Sequence, residues 1–258
     1  MNSAEQAYAE RLGTWQTLHR LQGPGRSYPY AWRLPELARP LGRAQLRQAQ
    51  HALALDLYTL GRFTEAQAAL PEAEEDEGIT ALERRLYLLL RSPAAAAIHA
   101  VPLPGLEPRY LAYVADRAQD WPAAAPRGPT EPDRLFSSLL DAWSQARGGH
   151  PISLAVHQRA LARLRCLHPS LCVQGEAVLA EALYWLGPRW ATVWLDHALD
   201  QVDLFSQHHL KARLMGLKAR ALDAAGELGE GARFRKQARA LAERQGARLY
   251  LAQFIDEA

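Results

Sequence analysis

The sequence predicts an all-α fold built from antiparallel helix pairs that stack against one another. Three observations predict it. Almost every long segment repeats its apolar residues at spacings of three and four, which places them on one face of a helix. Prolines and glycines gather between those segments, where they stop helices. Three segments also share a frame around a turn glycine, with an alanine seven residues before it and a leucine four before it. No segment shows the sustained alternation of a strand bounded by hairpin residues.

Taken in order, residues 5–21 form a first helix with Tyr8, Leu12, Trp15, Leu18 and His19 on one side. The stretch 23–42, GPGRSYPYAWRLPELARPLG, reads as a long connection without regular structure. Helices follow at 44–60, 64–70, 81–90, 110–120 and 132–147. The acidic run Glu72, Glu74, Glu75, Asp76 and Glu77 reads as a solvated helix start, where negative charge suits the helix dipole. Residues 92–108 and 120–133 are proline-rich linkers, and 148–151 is a tight break. The last helices are expected at 152–168, 173–186, 190–205, 208–225 and 230–245, with a short tail helix at 249–255. The chain thus divides into residues 1–43 (a helix and an aromatic loop), a repeat region at 44–147 that is irregular after 71, and a repeat region at 152–258.

The shared frame is Ala54, Leu57 and Gly61, then Ala180, Leu183 and Gly187, then Ala219, Leu222 and Gly226. The last two glycines stand 39 residues apart, and the first two 126 apart, about three such units. That spacing suits helical-repeat arrays. Two helices joined by a short turn pack antiparallel. A small residue at the crossing lets the backbones approach, leucine fills the groove, and glycine takes the left-handed position that ends the first helix.

At these positions the chain resembles the tetratricopeptide-repeat (TPR) family. ALALDLYTLGRFTEAQAAL carries the likeness best, with Gly61, Phe63 and Ala66 at the family's turn glycine, following aromatic and small second-helix residue. Ala219, Gly226, Gly231 and Ala238 match in the third pair. In the second, Ala180, Gly187 and Ala198 match, but Pro188 shifts the register and Trp190 stands one residue late. The resemblance covers about half the chain, and residues 72–168 show no clear frame. The end of the chain, RALAERQGARLYLAQFIDEA, is also similar to the close of helical-repeat regions in bacterial transcription regulators of the maltose-activator type. The resemblance implies a right-handed superhelix with a concave groove, lined by residues such as Gln50, Asp56, Tyr58, Tyr184, Arg220 and Asp223. Family members that hold peptide backbones use groove asparagines, and Asn2 is the only asparagine here. A flatter, more apolar interface or self-association is expected instead.

Composition narrows the function. The chain has 258 residues, 48% of them hydrophobic, and a formal net charge of +2, so the overall balance implies no polyanion partner. Cys166 and Cys172 sit among apolar residues and fit free, packed thiols in a reducing compartment. The start, MNSAEQAYAE, is polar and acidic, and the most apolar stretch, 81–104, is interrupted by Arg84, Arg85 and Arg91. A cytoplasmic location and no membrane association are expected.

Catalytic constellations are missing. There is no GxSxG elbow, phosphate loop, HExxH, paired CxxC or EF-hand loop. Adjacent His208 and His209 point about 100° apart on a helix. His197 with Asp200 or Gln201 lacks a further ligand. No enzyme activity, metal or cofactor is expected. The leading expectation is a protein–protein interaction or adaptor module, with Arg26, Tyr28, Tyr30, Trp32, Arg33, Tyr58, Tyr184 and Arg220 as partner-binding candidates. Tyrosine, tryptophan and arginine are the usual hot-spot residues; the other reading of the 23–42 aromatics is a structural cap packed back on the first helices. Trp185, Trp190 and Trp194 read as core packing. The alternative is a regulatory component of transcription. It would touch nucleic acid through the basic C-terminal helices, at Lys211, Lys218, Arg233, Lys236 and Arg239. A helix-turn-helix around Gly61 fails, because Gln67 falls where a recognition helix buries an aliphatic.

Overall fold

The computed structural model describes residues 3–70, 81–90, 107–116, 121 and 128–255. Every regular element among them is helical. The acidic run at 72–77, most of the linker at 92–108 and half of that at 120–133 lie outside the described residues.

The helix α1 (Ser3–Gln22) comes first. The following stretch departs from the expected loop: it forms α2 (Pro24–Ala31), α3 (Leu34–Ala38) and a 3-10 turn at Arg39–Leu41. Pro24 and Pro35 occupy the first turns of their helices, where no amide donor is needed and the fixed φ suits the helix. The same residue type that breaks a helix therefore starts two here. Ser27, Ala31, Leu34 and Ala38 are fully buried.

The pair α4 (Arg43–Thr59) and α5 (Phe63–Ala69) follows. Next come α6 (Ala81–Leu90) and α7 (Glu107–Val114). A capping box opens α8 (Glu131–Arg147): the Thr130 hydroxyl accepts from the Asp133 amide, and the Asp133 carboxylate accepts from the Thr130 amide. The second half contains α9 (Leu154–Leu167), α10 (Pro169–Leu186), α11 (Pro188–Leu204), α12 (Lys211–Ala225) and α13 (Leu228–Gln245). A short α14 (Arg248–Tyr250) runs into a π turn, Leu251–Ile255.

The alanines of the frame are interior: Ala54, Ala180 and Ala219 are all buried. Gly61 and Gly226 take left-handed conformations at φ 77° and 90°. Gly187 does not: its φ of −172° is extended, and α11 begins at Pro188. At Gly231 a Cβ would stand 3.0 Å from the Ala219 carbonyl, so glycine permits the close approach of α13 to α12.

Each of α8 to α13 packs on its neighbour in sequence, and α8 also packs on α10. Other contacts join distant parts. The helix α1 lies on α10, and α14 lies on α6. The His209 ring lies 3.3 Å from the Thr59 carbonyl and packs on Tyr58. Gln253 donates to the Ala115 carbonyl at 2.8 Å. These contacts join the first half of the chain to the second, a set beyond the nearest-neighbour pattern of an open repeat stack.

A buried ion pair stands at this junction. Arg213 and Glu181 are both fully buried and paired through two bonds, at 2.9 and 2.6 Å. The guanidinium also donates to the Tyr113 and Val114 carbonyls and lies over the Tyr113 and Phe254 rings. Trp143 Nε1 donates to Glu181 at 2.9 Å. Burial opposes the charge on Arg213, but the Glu181 carboxylate, helped by Tyr113 and Asp116, holds its pKa above the ordinary arginine value.

Candidate functional site

The segment 24–33 positions the first candidate site. Its short helices turn Ser27 and Ala31 inward and leave the larger aromatic residues toward the surface. Tyr28, Tyr30, Trp32 and Arg33 line an open cleft of about 650 Å³ together with Pro29 and Arg11 from α1. Trp32 is 57% exposed. Arg11 donates to the Pro29 and Tyr30 carbonyls, which satisfies the end of α2, and its guanidinium lies 5.3 Å from the Tyr30 ring centre. Arg62 bonds the Tyr28 hydroxyl at 3.1 Å and lies over that ring. The Tyr28 and Trp32 rings sit 6.1 Å apart. Arg26 is exposed but does not line this cleft.

What fixes the cleft is Asp56, which is fully buried in α4. Its carboxylate accepts from Trp15 Nε1 at 3.0 Å and from the Ser27 hydroxyl at 2.8 Å, and meets His19 Nδ1 at 2.6 Å. One carboxylate thus ties α1 and α2 to α4. Asp56 lines no groove. Serine and histidine both address the carboxylate, which makes this a structural hub rather than a nucleophile and its base.

Two other expected partner-binding residues are interior. Tyr58 is 1% exposed and packs between Phe63 and His209. Tyr184 is 7% exposed. Both sit on α-helical faces turned to the core, so neither presents a surface. Arg220 is half-buried and donates to the Gln253 carbonyl. Among the tryptophans, Trp185 is half-buried with the Arg147 guanidinium 3.7 Å over its ring. Trp190 departs from the core expectation at 84% exposed, because it sits on the first turn of α11, beyond the end of α10. Cys172 is buried, which pushes its thiol up to about 12, whereas Cys166 is exposed rather than packed.

Four basic residues of α12 and α13 pair with acids on α11, α12 or α13. Lys211 pairs with Asp203, Lys218 with Asp196, Arg233 with Glu230 and Arg235 with Asp223. Lys236 and Arg239 are exposed on α13.

A second cleft went unseen in the sequence. It lies over α10 between α9 and α11, encloses about 190 Å³, and is lined by Leu161, Ala162, Arg165, Glu176, Leu179, Trp194 and His197 among others. In the sequence, His197 read only as a partner for Asp200 or Gln201 and Trp194 as core packing. Among the described residues, no group of three or more histidine, cysteine, aspartate or glutamate side chains is arranged to hold a metal ion. No helix among them is long and apolar enough to cross a membrane.

No known family model matches the chain. No curated protein and no solved structure matches it either.

Proposed function

We propose that this protein is a non-catalytic interaction module that binds a polypeptide partner in the cleft between α1 and α2. The observation that carries the reading is the convergence of Tyr28, Tyr30, Trp32 and Arg33 on one open surface, held rigid from beneath by Asp56. Large rings of this kind lose little conformational entropy on binding, and exposed tryptophan and tyrosine beside arginine are the residues that dominate interface energies. Arg33 offers a charge to a carboxylate on the partner, while the rings offer flat apolar area. The remaining helices serve as a scaffold of TPR-like pairs, α10–α11 and α12–α13, in a cytoplasmic protein. The pairing of the C-terminal basic residues with nearby acids leaves the nucleic-acid alternative less support.

Affinity capture from the native cell tests the reading. The wild-type chain is compared with a Tyr30→Ala, Trp32→Ala double variant of equal thermal stability. A polypeptide retained by the first and lost by the second supports the proposal. Identical captured sets, or capture lost only when the C-terminal helices are altered, overturns it.

A further inference from the structure

The cleft over α10 is separate from the aromatic surface and has a chemistry of its own. Its buried carboxylate is Glu176, with a side chain only 4% exposed. Oε1 is satisfied by Arg165. Oε2 is buried and has no hydrogen-bond donor; His197 Nε2 stands 3.7 Å from it. Arg165, His197 and Glu176 all line the cleft. Leu161, Ala162 and Leu179 supply apolar wall, and Trp194 supplies an aromatic one. The buried Cys172 thiol lies 3.7 Å from Glu176 Oε1.

We propose that this cleft binds a primary ammonium group carried on an unbranched alkyl stem. Three features select that class. A buried carboxylate oxygen without a donor is costly until a donor arrives, and a cationic donor gives the stronger bond. An aromatic face beside the carboxylate attracts cations further. The two oxygens are also unequal: Oε1 is taken, so a guanidinium cannot dock with both its arms, whereas an ammonium needs only one acceptor. The volume matches about six waters at ~30 Å³ each, enough for a stem of roughly four carbons and its head. The leucines line the stem and Oε2 receives the head.

Titration of the full-length protein with n-butylammonium, followed by heteronuclear NMR on the indole signals, tests this. Saturation on the order of 1 mM is expected for so small a ligand, with the Trp194 indole signal moving. Butyltrimethylammonium keeps the charge but cannot donate to Oε2, and should bind at least fivefold more weakly. Glu176→Gln should weaken n-butylammonium at least tenfold; the trimethyl comparison needs no variant and stands even if that protein unfolds. Two further ligands identify the source of the ammonium. A blocked lysyl peptide binding more tightly than butylammonium assigns the site to a partner's lysine, and cadaverine binding more tightly assigns it to a free polyamine. Either supports the proposal. No saturable binding at 20-fold higher concentration, or equal binding of the trimethyl analogue, overturns it. Loss of the α1–α2 cleft through Trp32→Ala should leave this titration unchanged, so the two sites fail independently.

Discussion

Replacing Arg213 with methionine probes the junction of the chain's two halves. The guanidinium is fully buried and makes four bonds, two to Glu181 and two to the backbone carbonyls of Tyr113 and Val114. Its loss strands the Glu181 carboxylate, which has no exposure to water. Breaking a buried pair from one side costs about 3–5 kcal/mol. Methionine restores part of the packing against Tyr113 and Phe254, so a net loss of about 4 kcal/mol is expected. At about 2–4 °C per kcal/mol for a chain of this size, the melting temperature should fall by roughly 10 °C. Urea unfolding followed by far-UV circular dichroism reads the free energy. The double variant Arg213→Met, Glu181→Met removes both charges and should recover most of the loss, leaving about 1 kcal/mol for the unpaired Trp143 Nε1. Arg213→Met within about 1 kcal/mol of wild type, or a double variant less stable than the single one, would refute this reasoning.

Three more outcomes follow from other sites. Asp56→Asn replaces an acceptor of three donors with a group that must turn an N–H toward one of them. It should cost about 2 kcal/mol and raise hydrogen exchange first in residues 3–31. Gly216→Ala would set a Cβ 2.8 Å from the Phe254 carbonyl, a backbone atom that cannot yield alone. The variant should therefore lose about 1–3 kcal/mol through overpacking, against the gain of about 1 kcal/mol that alanine brings to a helix interior; a higher urea midpoint would contradict the contact. Stability should also fall in mild acid. Burial pushes His209 down to about 3 and His168 down to about 4, both from 6.5. The unfolded chain then binds more protons than the folded one below 6.5, so stability falls as the pH drops. For His209 alone the loss between pH 6.5 and 5 is about 2 kcal/mol, and His209→Gln should flatten the urea midpoint's dependence on pH across that range.

The helices were legible because their signal is local. Period and punctuation placed α4, α8, α10, α12 and α13 within a few residues of their ends. The turn glycines 61 and 226 were legible for the same reason, since the left-handed φ is a property of one residue. The segment 24–41 was misread because proline has two meanings, and the helix-starting one depends on which residues the following turn buries. The aromatic cluster on that segment was legible as a group by composition, although Arg11, which completes the cleft, stands far off in sequence. Tyr58 and Tyr184 show the limit of analogy: a frame assigns a residue to a helix face, but neighbouring helices decide whether that face meets water. Arg213 and Glu181 were invisible as a pair, 32 residues apart with nothing in either neighbourhood to name the other. Glu176 is similar, because a carboxylate with one unmet oxygen is a fact of packing and not of sequence.

The proposed partner-binding role of the rings between α1 and α2 can be read from the affinity of a captured polypeptide, by calorimetry, for wild type, Trp32→Ala and Trp190→Ala. Both tryptophans are exposed, at 57% and 84%, but only Trp32 lines the cleft. The account predicts that Trp32→Ala weakens binding by about 30-fold, equivalent to a hot spot of roughly 2 kcal/mol, while Trp190→Ala leaves it within twofold. Full affinity in Trp32→Ala with loss in Trp190→Ala would contradict it.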